Sequence, residues 1–479
     1  MYEEIPHLNF IYPKREKDKM SIRSKIAEYK RYTQGVCHCT FNPDGPGVVR
    51  IHLVPPRFKL FGSAPYVVIL NGYYVLPIGH AWAAILAEFI REVNVFDGKP
   101  MTEEDERGVI TRTVKRVSSL YPLIDREEIE LDLDEILDVI FTVARGEMPG
   151  SRIDRLSIHK YAKHMTAPHR MDLMISAMTD EKGLWKCNQK CTFCYASGQK
   201  LSSAKELDTN EWKKIIDKLW ESRVPMVTFT GGEPTQREDL VELVEHAKKF
   251  VTRVNTNGVN VTPELALSLK KAGLDSIQFT LYSYDPEIHN ALVGATKFSD
   301  TVQGIKNAVE AGLDVSVNTP LCKKNADYRS TLEFVKSLGV RFVTASGLIL
   351  TGNADLNHDE YDLDTKKLTD IIIEAKGFSD VHCMEIDFTS PGLIPKVTLE
   401  SIGMNVPMCG ACLSNMAIAP DGTVVPCQSW LGADAALGNI LTDDFSAIWN
   451  NEICKKLRSM SEDEALACPF RQGKEARNG

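Results

Sequence analysis

The feature that most constrains this chain is a regular alternation, from about residue 171 to residue 375, of short apolar runs with amphipathic stretches at helical spacing. Strands are predicted over 171–178, 224–230, 251–256, 276–281, 313–319 and 340–348. The helices that follow them are predicted over 208–222, 237–250, 263–272, 300–311, 329–338 and 364–375. Strands that alternate with helices pair in parallel through crossover connections. Six such units predict an α/β fold, a partial (β/α)6 TIM-like barrel with its chemistry at the C-terminal strand ends.

The 479 residues exceed one domain and predict about three at a prior of ~150 residues each. Residues 1–150 read as an N-terminal α+β domain. In it, 66–77 (YVVILNGYYVLP) forms a hairpin around Asn71-Gly72, two residues that tolerate positive φ. Helices follow over 80–93, 102–120 and 132–144, the second opened by Glu103, Glu104 and Asp105, which complement the helix dipole. A Gly- and Pro-containing stretch, 145–155, is the predicted linker to a core barrel over 165–390. Past Pro391 the rhythm stops and cysteines crowd, which marks 391–479 as a cysteine-rich extension stapled by metal.

A formal charge of -9 argues against a nucleic-acid partner, which would need a basic footprint. No apolar stretch is long enough to cross a bilayer, and the opening MYEEIPHLNF has no secretion pattern, so no membrane partner and a cytoplasmic location are expected. Twelve cysteines in such a chain point to metal or redox chemistry rather than disulfides.

Three of them form Cys187-x3-Cys191-x2-Cys194, in the loop after the first barrel strand. Three thiolates this close can hold three irons of a [4Fe–4S] cubane and leave the fourth iron open, the mark of a catalytic metal centre. A three-thiolate zinc site or a cluster with a distant fourth ligand are the alternatives. The run Gly231-Gly232-Glu233-Pro234 follows the strand MVTFT, where glycines let backbone approach a ligand closely. By itself it is equally a turn.

Together the two motifs, with Phe193 before the last cysteine, resemble the radical S-adenosylmethionine (SAM) superfamily. The resemblance implies that the open iron binds the amine and carboxylate of SAM and that one-electron reduction yields methionine and a 5′-deoxyadenosyl radical. It also implies that the GGE glutamate, Glu233, binds the SAM amino group. Asn257 (in NTNG), Gln278 and Thr280 (in SIQFTLY) and Asn318 (in VSVNTP) resemble further SAM-contacting positions; each is otherwise a strand-end polar group satisfied locally.

In the extension, Cys409-Gly-Ala-Cys412 is followed by APDGTVVPC, ending at Cys427, and by Cys468. The PDG turn suits a hairpin that returns Cys427 towards Cys409. This resembles the SPASM and twitch auxiliary-cluster domains, though the dense C-x2-C-x5-C-x3-C run of a full SPASM domain is missing. Four thiolates imply one auxiliary [4Fe–4S] cluster, with structural zinc as the alternative. Cys322, Cys383 and Cys454 read as packed core residues. Cys37 and Cys39 could hold metal with His38 only with a fourth ligand.

The expected function is hydrogen abstraction from a ribosomally made peptide, with residues 1–150 as a winged-helix-like recognition module that adds the peptide to a sheet edge. Small-molecule chemistry on the same core is the alternative, and a non-catalytic iron–sulfur electron carrier is the rival from another class. A flavodoxin or ferredoxin is the expected reductant.

Overall fold

The computed structural model describes residues 37–41, 49–55, 66–71, 74–96, 99, 101–144, 158–180 and 182–468. The expected linker over 145–155 lies outside the described residues, as does Gly72. The chain divides into two compact units, 1–165 and 166–479.

The first unit carries a four-stranded antiparallel sheet in the order β1 (Cys37–Phe41), β2 (Val49–Val54), β3 (Tyr66–Leu70), β4 (Tyr74–Ile78). The β3–β4 hairpin holds the expected register, Leu70 opposite Tyr74, and Asn71 takes a positive φ of 52°. Helices α1 (His80–Val93), α2 (Glu103–Leu120) and α3 (Arg126–Ala144) follow. Thr102 and Asp105 cap α2 reciprocally. The third helix starts six residues before the prediction, because Ile129 continues inward the stripe of Leu133, Ile136 and Ile140. Strands β1 and β2 were not predicted. In β1, His38 stands opposite His52 and Cys39 opposite Ile51. Neighbouring side chains on a strand leave opposite faces, and Cys39 enters the hydrophobic core, so Cys39 and His38 do not converge on a metal.

The second unit contains a ten-stranded sheet. Seven parallel strands are β5 (Arg170–Ser176), β6 (Met226–Gly231), β7 (Val251–Thr256), β8 (Ser276–Thr280), β9 (Asp314–Pro320), β10 (Phe342–Ser346) and β11 (Glu385–Phe388), each hydrogen-bonded to the next. The seventh was not predicted, since four residues of alternating acid and apolar character (EIDF) are too short to register as a strand. The crossover helices are α4 (Thr209–Glu221), α5 (Leu240–His246), α6 (Pro263–Lys271), α7 (Pro286–Val293), α8 (Phe298–Glu310), α9 (Tyr328–Ser337), α10 (Asn353–Tyr361) and α11 (Thr365–Val381).

The sheet's apolar residues are buried on the helix-facing side, for example Leu173, Val227, Phe229, Val254, Ile277 and Phe279. Polar residues alternate with them and face the barrel interior. Two of these crossover helices escaped prediction. Helix α7 had a start signal, Asp285 capping Pro286 at the first position. Helix α10 (NADLNHDEY) buries only Ala354 and has no apolar period, so contacts with the loop it packs on hold it.

The C-terminal extension joins this sheet. Strand β12 (Asn415–Ile418) runs parallel to β5, with Ala417 opposite Asp172, and pairs with β13 (Thr423–Val425) across the expected PDG turn; β14 (Gly438–Asn439) completes the edge. Phe229 is fully buried between sheet and helices. Phe229→Ala is expected to cost about 3–5 kcal/mol in urea unfolding, from lost burial plus the cavity; a loss below about 1 kcal/mol would contradict this packing.

Candidate active site

The C-terminal ends of β5 and β6 are stitched together by short polar contacts. Ser176 Oγ donates to the Glu233 carbonyl (3.1 Å) and accepts from the Glu233 amide (3.0 Å), while the Gly232 amide donates to Ser176 O (2.8 Å). Gly231 has a φ of 143°, and a Cβ there would lie 2.3 Å from Ser176 O; one on Gly232 would lie 2.8 Å from Ala177 O. Only glycines permit this approach.

Glu233 is buried between the strand ends. Its Oε1 accepts from the Thr235 amide (3.0 Å), Thr235 Oγ1 (2.6 Å) and Thr256 Oγ1 (2.6 Å), and its Oε2 from the Asn257 amide (2.8 Å). Burial raises its carboxyl above the usual range, and these donors oppose the rise. A carboxylate offers about four lone-pair positions. Three protein donors meet at Oε1 and one at Oε2, so Oε2 retains room for a ligand cation.

The cysteine loop lies against this carboxylate. Cys187 Sγ is 3.3 Å from Gly232 O. Burial pushes the Cys187 thiol up to about 12, and the neighbouring Glu233 and Cys194 add to the rise. Burial also raises Cys191 and Cys194, and Cys191 is raised further by the other two thiols. Clustered, partly buried thiols ionise fully only when a cation compensates them, and iron does so while displacing their protons. The donor set therefore fits an iron–sulfur cluster.

The loop is held from two sides. Helix α7 accepts from the Lys190 amide at Val293 O (2.8 Å) and from the Thr192 amide at Leu292 O (2.9 Å). Helix α10 donates, from Asn353 N to Cys194 O (2.9 Å), Asn353 Nδ2 to Cys191 O (3.1 Å) and Asn357 Nδ2 to Thr192 O (3.0 Å). Gly352 (φ 57°) enters that helix so close that a Cβ would lie 2.4 Å from Cys194 O. Phe193 is buried beside Tyr282 and stacks edge-on against Tyr361.

Of the remaining predicted positions, Asn257 joins the Glu233 group and donates Nδ2 to Asn188 Oδ1 in the cysteine loop (2.6 Å). Gln278 and Asn318 form a separate chain through Thr344: Gln278 Nε2 donates to Thr344 Oγ1 (3.4 Å), which donates to Asn318 Oδ1 (2.8 Å). Thr280 pairs in register with Asn318. Pro234 opens a 3-10 turn capped by Glu233. The sequence reading missed Ser176, Thr235, Asn353 and Asn357, and had Thr256 only as part of NTNG. Ser176 and Thr256 carried a weak signal as polar residues at strand ends.

In the extension, the Cys409 amide donates to Ala465 O (2.6 Å), close in the chain to Cys468, and the Cys412 amide donates to Pro426 O (3.2 Å), beside Cys427. Burial pushes Cys427 up to about 12, with Cys409, Cys468 and Asp172 adding to it. Cys454 is buried, as expected, and its thiol hydrogen-bonds that of Cys412. Cys322 is buried as well, but Cys383 is exposed at a positive φ of 53° on the turn after α11, which corrects its reading as core. Among the described residues, no three His, Cys, Asp or Glu side chains converge as on a single metal ion.

Residues 186–338 match the Radical SAM superfamily, and residues 409–469 match SPASM, an iron–sulfur cluster-binding domain. Mycofactocin maturase MftC of Mycolicibacterium smegmatis is 30% identical over 294 residues, 59% of this chain and 72% of that protein. Fe-coproporphyrin III synthase of Methanosarcina barkeri is 28% identical, over 56% of this chain and 71% of that one. SuiB of Streptococcus suis, solved with S-adenosylmethionine, shares the fold with a TM-score of 0.58 at 15% identity, over 84% of this chain and 91% of SuiB. The chain belongs to the radical SAM superfamily; it is a radical SAM enzyme with a SPASM domain. No helix among the described residues is long and apolar enough to cross a membrane.

Ser176→Ala strands the buried Glu233 amide, and a loss of about 1–3 kcal/mol in denaturant unfolding is expected. An unchanged midpoint would show that the stitch between β5 and β6 is not holding the strand ends.

Proposed function

We propose that this radical SAM enzyme modifies a ribosomally made peptide by abstracting hydrogen from it. Cys187, Cys191 and Cys194 hold a [4Fe–4S] cluster, which when loaded supplies the electron that cleaves SAM to methionine and a 5′-deoxyadenosyl radical. Glu233, held by Thr235, Thr256 and Asn257, orients the SAM ammonium through Oε2. Gly231 and Gly232 let this strand end close on Ser176 and Ala177 and present their backbone to SAM, and Pro234 fixes the turn. Asn257, Gln278, Thr280 and Asn318 line the remainder of the SAM site. Cys409, Cys412, Cys427 and Cys468 hold one auxiliary [4Fe–4S] cluster within a 391–479 domain, next to a 165–390 core. The protein works in the cytoplasm and takes electrons from a flavodoxin or ferredoxin.

The observation that carries the peptide reading is the sheet of the first unit, in which β1 and β4 each have a strand partner on one side only among the described residues. A sheet edge accepts an extended peptide as an added strand. That sheet with its three helices is the proposed recognition module of residues 1–150. The name of mycofactocin maturase and the solved complex of SuiB with its precursor peptide SuiA are in keeping with it. The second reading, a small-molecule substrate, draws on the polar chain Gln278–Thr344–Asn318 facing the barrel interior and on Fe-coproporphyrin III synthase among the relatives.

Anaerobic enzyme with SAM and dithionite is expected to release 5′-deoxyadenosine, and a short peptide encoded beside the gene is expected to bind and change mass in step with that release. A peptide that neither binds nor changes, alongside a small molecule that raises turnover, would overturn the peptide reading. Glu233→Gln should weaken SAM binding about tenfold or more with iron content intact, as loss of a charged hydrogen bond does. Because burial raises the Glu233 carboxyl, SAM affinity should be full above that raised value. It should decline as pH falls through it, earlier than for an exposed glutamate. Affinity in equilibrium titration that is flat with pH and unmoved in the variant would remove Glu233 from the SAM site.

A further inference from the structure

The chain is acidic, yet from Lys182 to Lys205 it carries five lysines and no aspartate or glutamate: Lys182, Lys186, Lys190, Lys200 and Lys205. This stretch contains all three cysteines of the catalytic loop. Four of the lysines, Lys182, Lys190, Lys200 and Lys205, are exposed. Only Lys186 has a carboxylate partner among the described residues, Glu206.

The stretch is folded on itself into one surface. The Asp180 carboxylate accepts from the amides of Lys182 (2.9 Å) and Leu184 (2.8 Å), which closes a tight turn, and the Lys186 amide returns to Met178 O (2.9 Å). Trp185 Nε1 donates to Gln189 O (2.8 Å), laying this turn on the cysteine loop, and the Lys190 ammonium lies 5.8 Å from the centre of the Trp185 ring. The segment bearing Lys200 is brought alongside by the Met178 amide, which donates to Ser202 O (2.9 Å). At the tip of the turn, Leu184 is 62% exposed, in the sequence between Lys182 and Lys186.

We propose that this lysine-rimmed face, centred on Leu184 and Trp185, is the docking surface for a small acidic protein that delivers single electrons to the Cys187/Cys191/Cys194 cluster. The inference rests on the cluster assignment above. Two observations select the partner. A cationic rim around a small apolar centre complements a negatively charged partner, and such complementarity acts chiefly on the rate of encounter. Lys186 and Lys190 each directly precede a cysteine of the set, so a carrier seated here stands next to the metal site. In each transfer the carrier is oxidised by one electron and the cluster reduced by one, with no bond made or broken.

The test compares two reductants on the loaded full-length enzyme: reduced flavodoxin, a large acidic donor, and dithionite, a small one. With flavodoxin, the second-order rate of cluster reduction, read by stopped-flow absorbance, should fall as salt is raised, because screening weakens steering. It should fall by about tenfold or more in the Lys182→Glu/Lys200→Glu variant, the lower range of steering effects. Reduction by dithionite, and the 5′-deoxyadenosine it drives, should be unchanged in the same variant. A flavodoxin rate indifferent to both salt and charge reversal would overturn the proposal. Equal slowing with both reductants would overturn it too, since the lysines would then be acting on the loop itself. Absence of 5′-deoxyadenosine from wild-type enzyme with dithionite would instead strike the cluster assignment.

Discussion

The site depends on one constraint: three partly buried thiols and a buried carboxylate are held together at the ends of two adjacent parallel strands. Separately, each of these groups resists ionising in such a place. The chain keeps them there by satisfying the backbone around them, with Ser176 bonded both ways to Glu233, α7 accepting from the cysteine loop and α10 donating to it. The result is a wall of acidic groups bonded by neutral donors, with its cysteine loop held from two sides. An iron–sulfur cluster and the ammonium of SAM are the cations that such a wall suits.

The same strand, β5, links the two cysteine-rich regions, the catalytic loop at its C-terminal end and the extension along its first half. Strand β12 of the extension lies directly beside β5, and Asp172, across from Ala417, adds to the rise of the Cys427 thiol. The extension is therefore one more layer of the sheet that carries the catalytic loop. The hydrogen bond between Cys454 and Cys412 adds a fifth thiol, itself buried, beside the four proposed for the auxiliary site.

Much of this was legible in the sequence, for identifiable reasons. Apolar strands of five to seven residues, each followed by a turn and an amphipathic helix, announce themselves through two periods at once, and β7 and α1 fell on their predicted bounds. The site glycines were legible because their chemistry is local. What stayed hidden was tertiary. Helix α10 has no apolar stripe, since its polar face is spent on the carbonyls of a loop some 160 residues earlier in the chain. Strand β11 is too short to show a period. The faces of Cys39 and His38 became clear only with the register of β1 against β2. Ser176, as one serine at a strand end, gave no hint that both of its hydrogen bonds go to Glu233.

The most direct test of the account is the electron paramagnetic resonance spectrum of the anaerobically reduced cluster in the Cys409→Ala/Cys427→Ala background, recorded with and without SAM. The account predicts that the signal remaining belongs to the Cys187/Cys191/Cys194 cluster and shifts when SAM is added, because SAM ligates an iron that no cysteine holds. A reduced-cluster spectrum identical with and without SAM would contradict it.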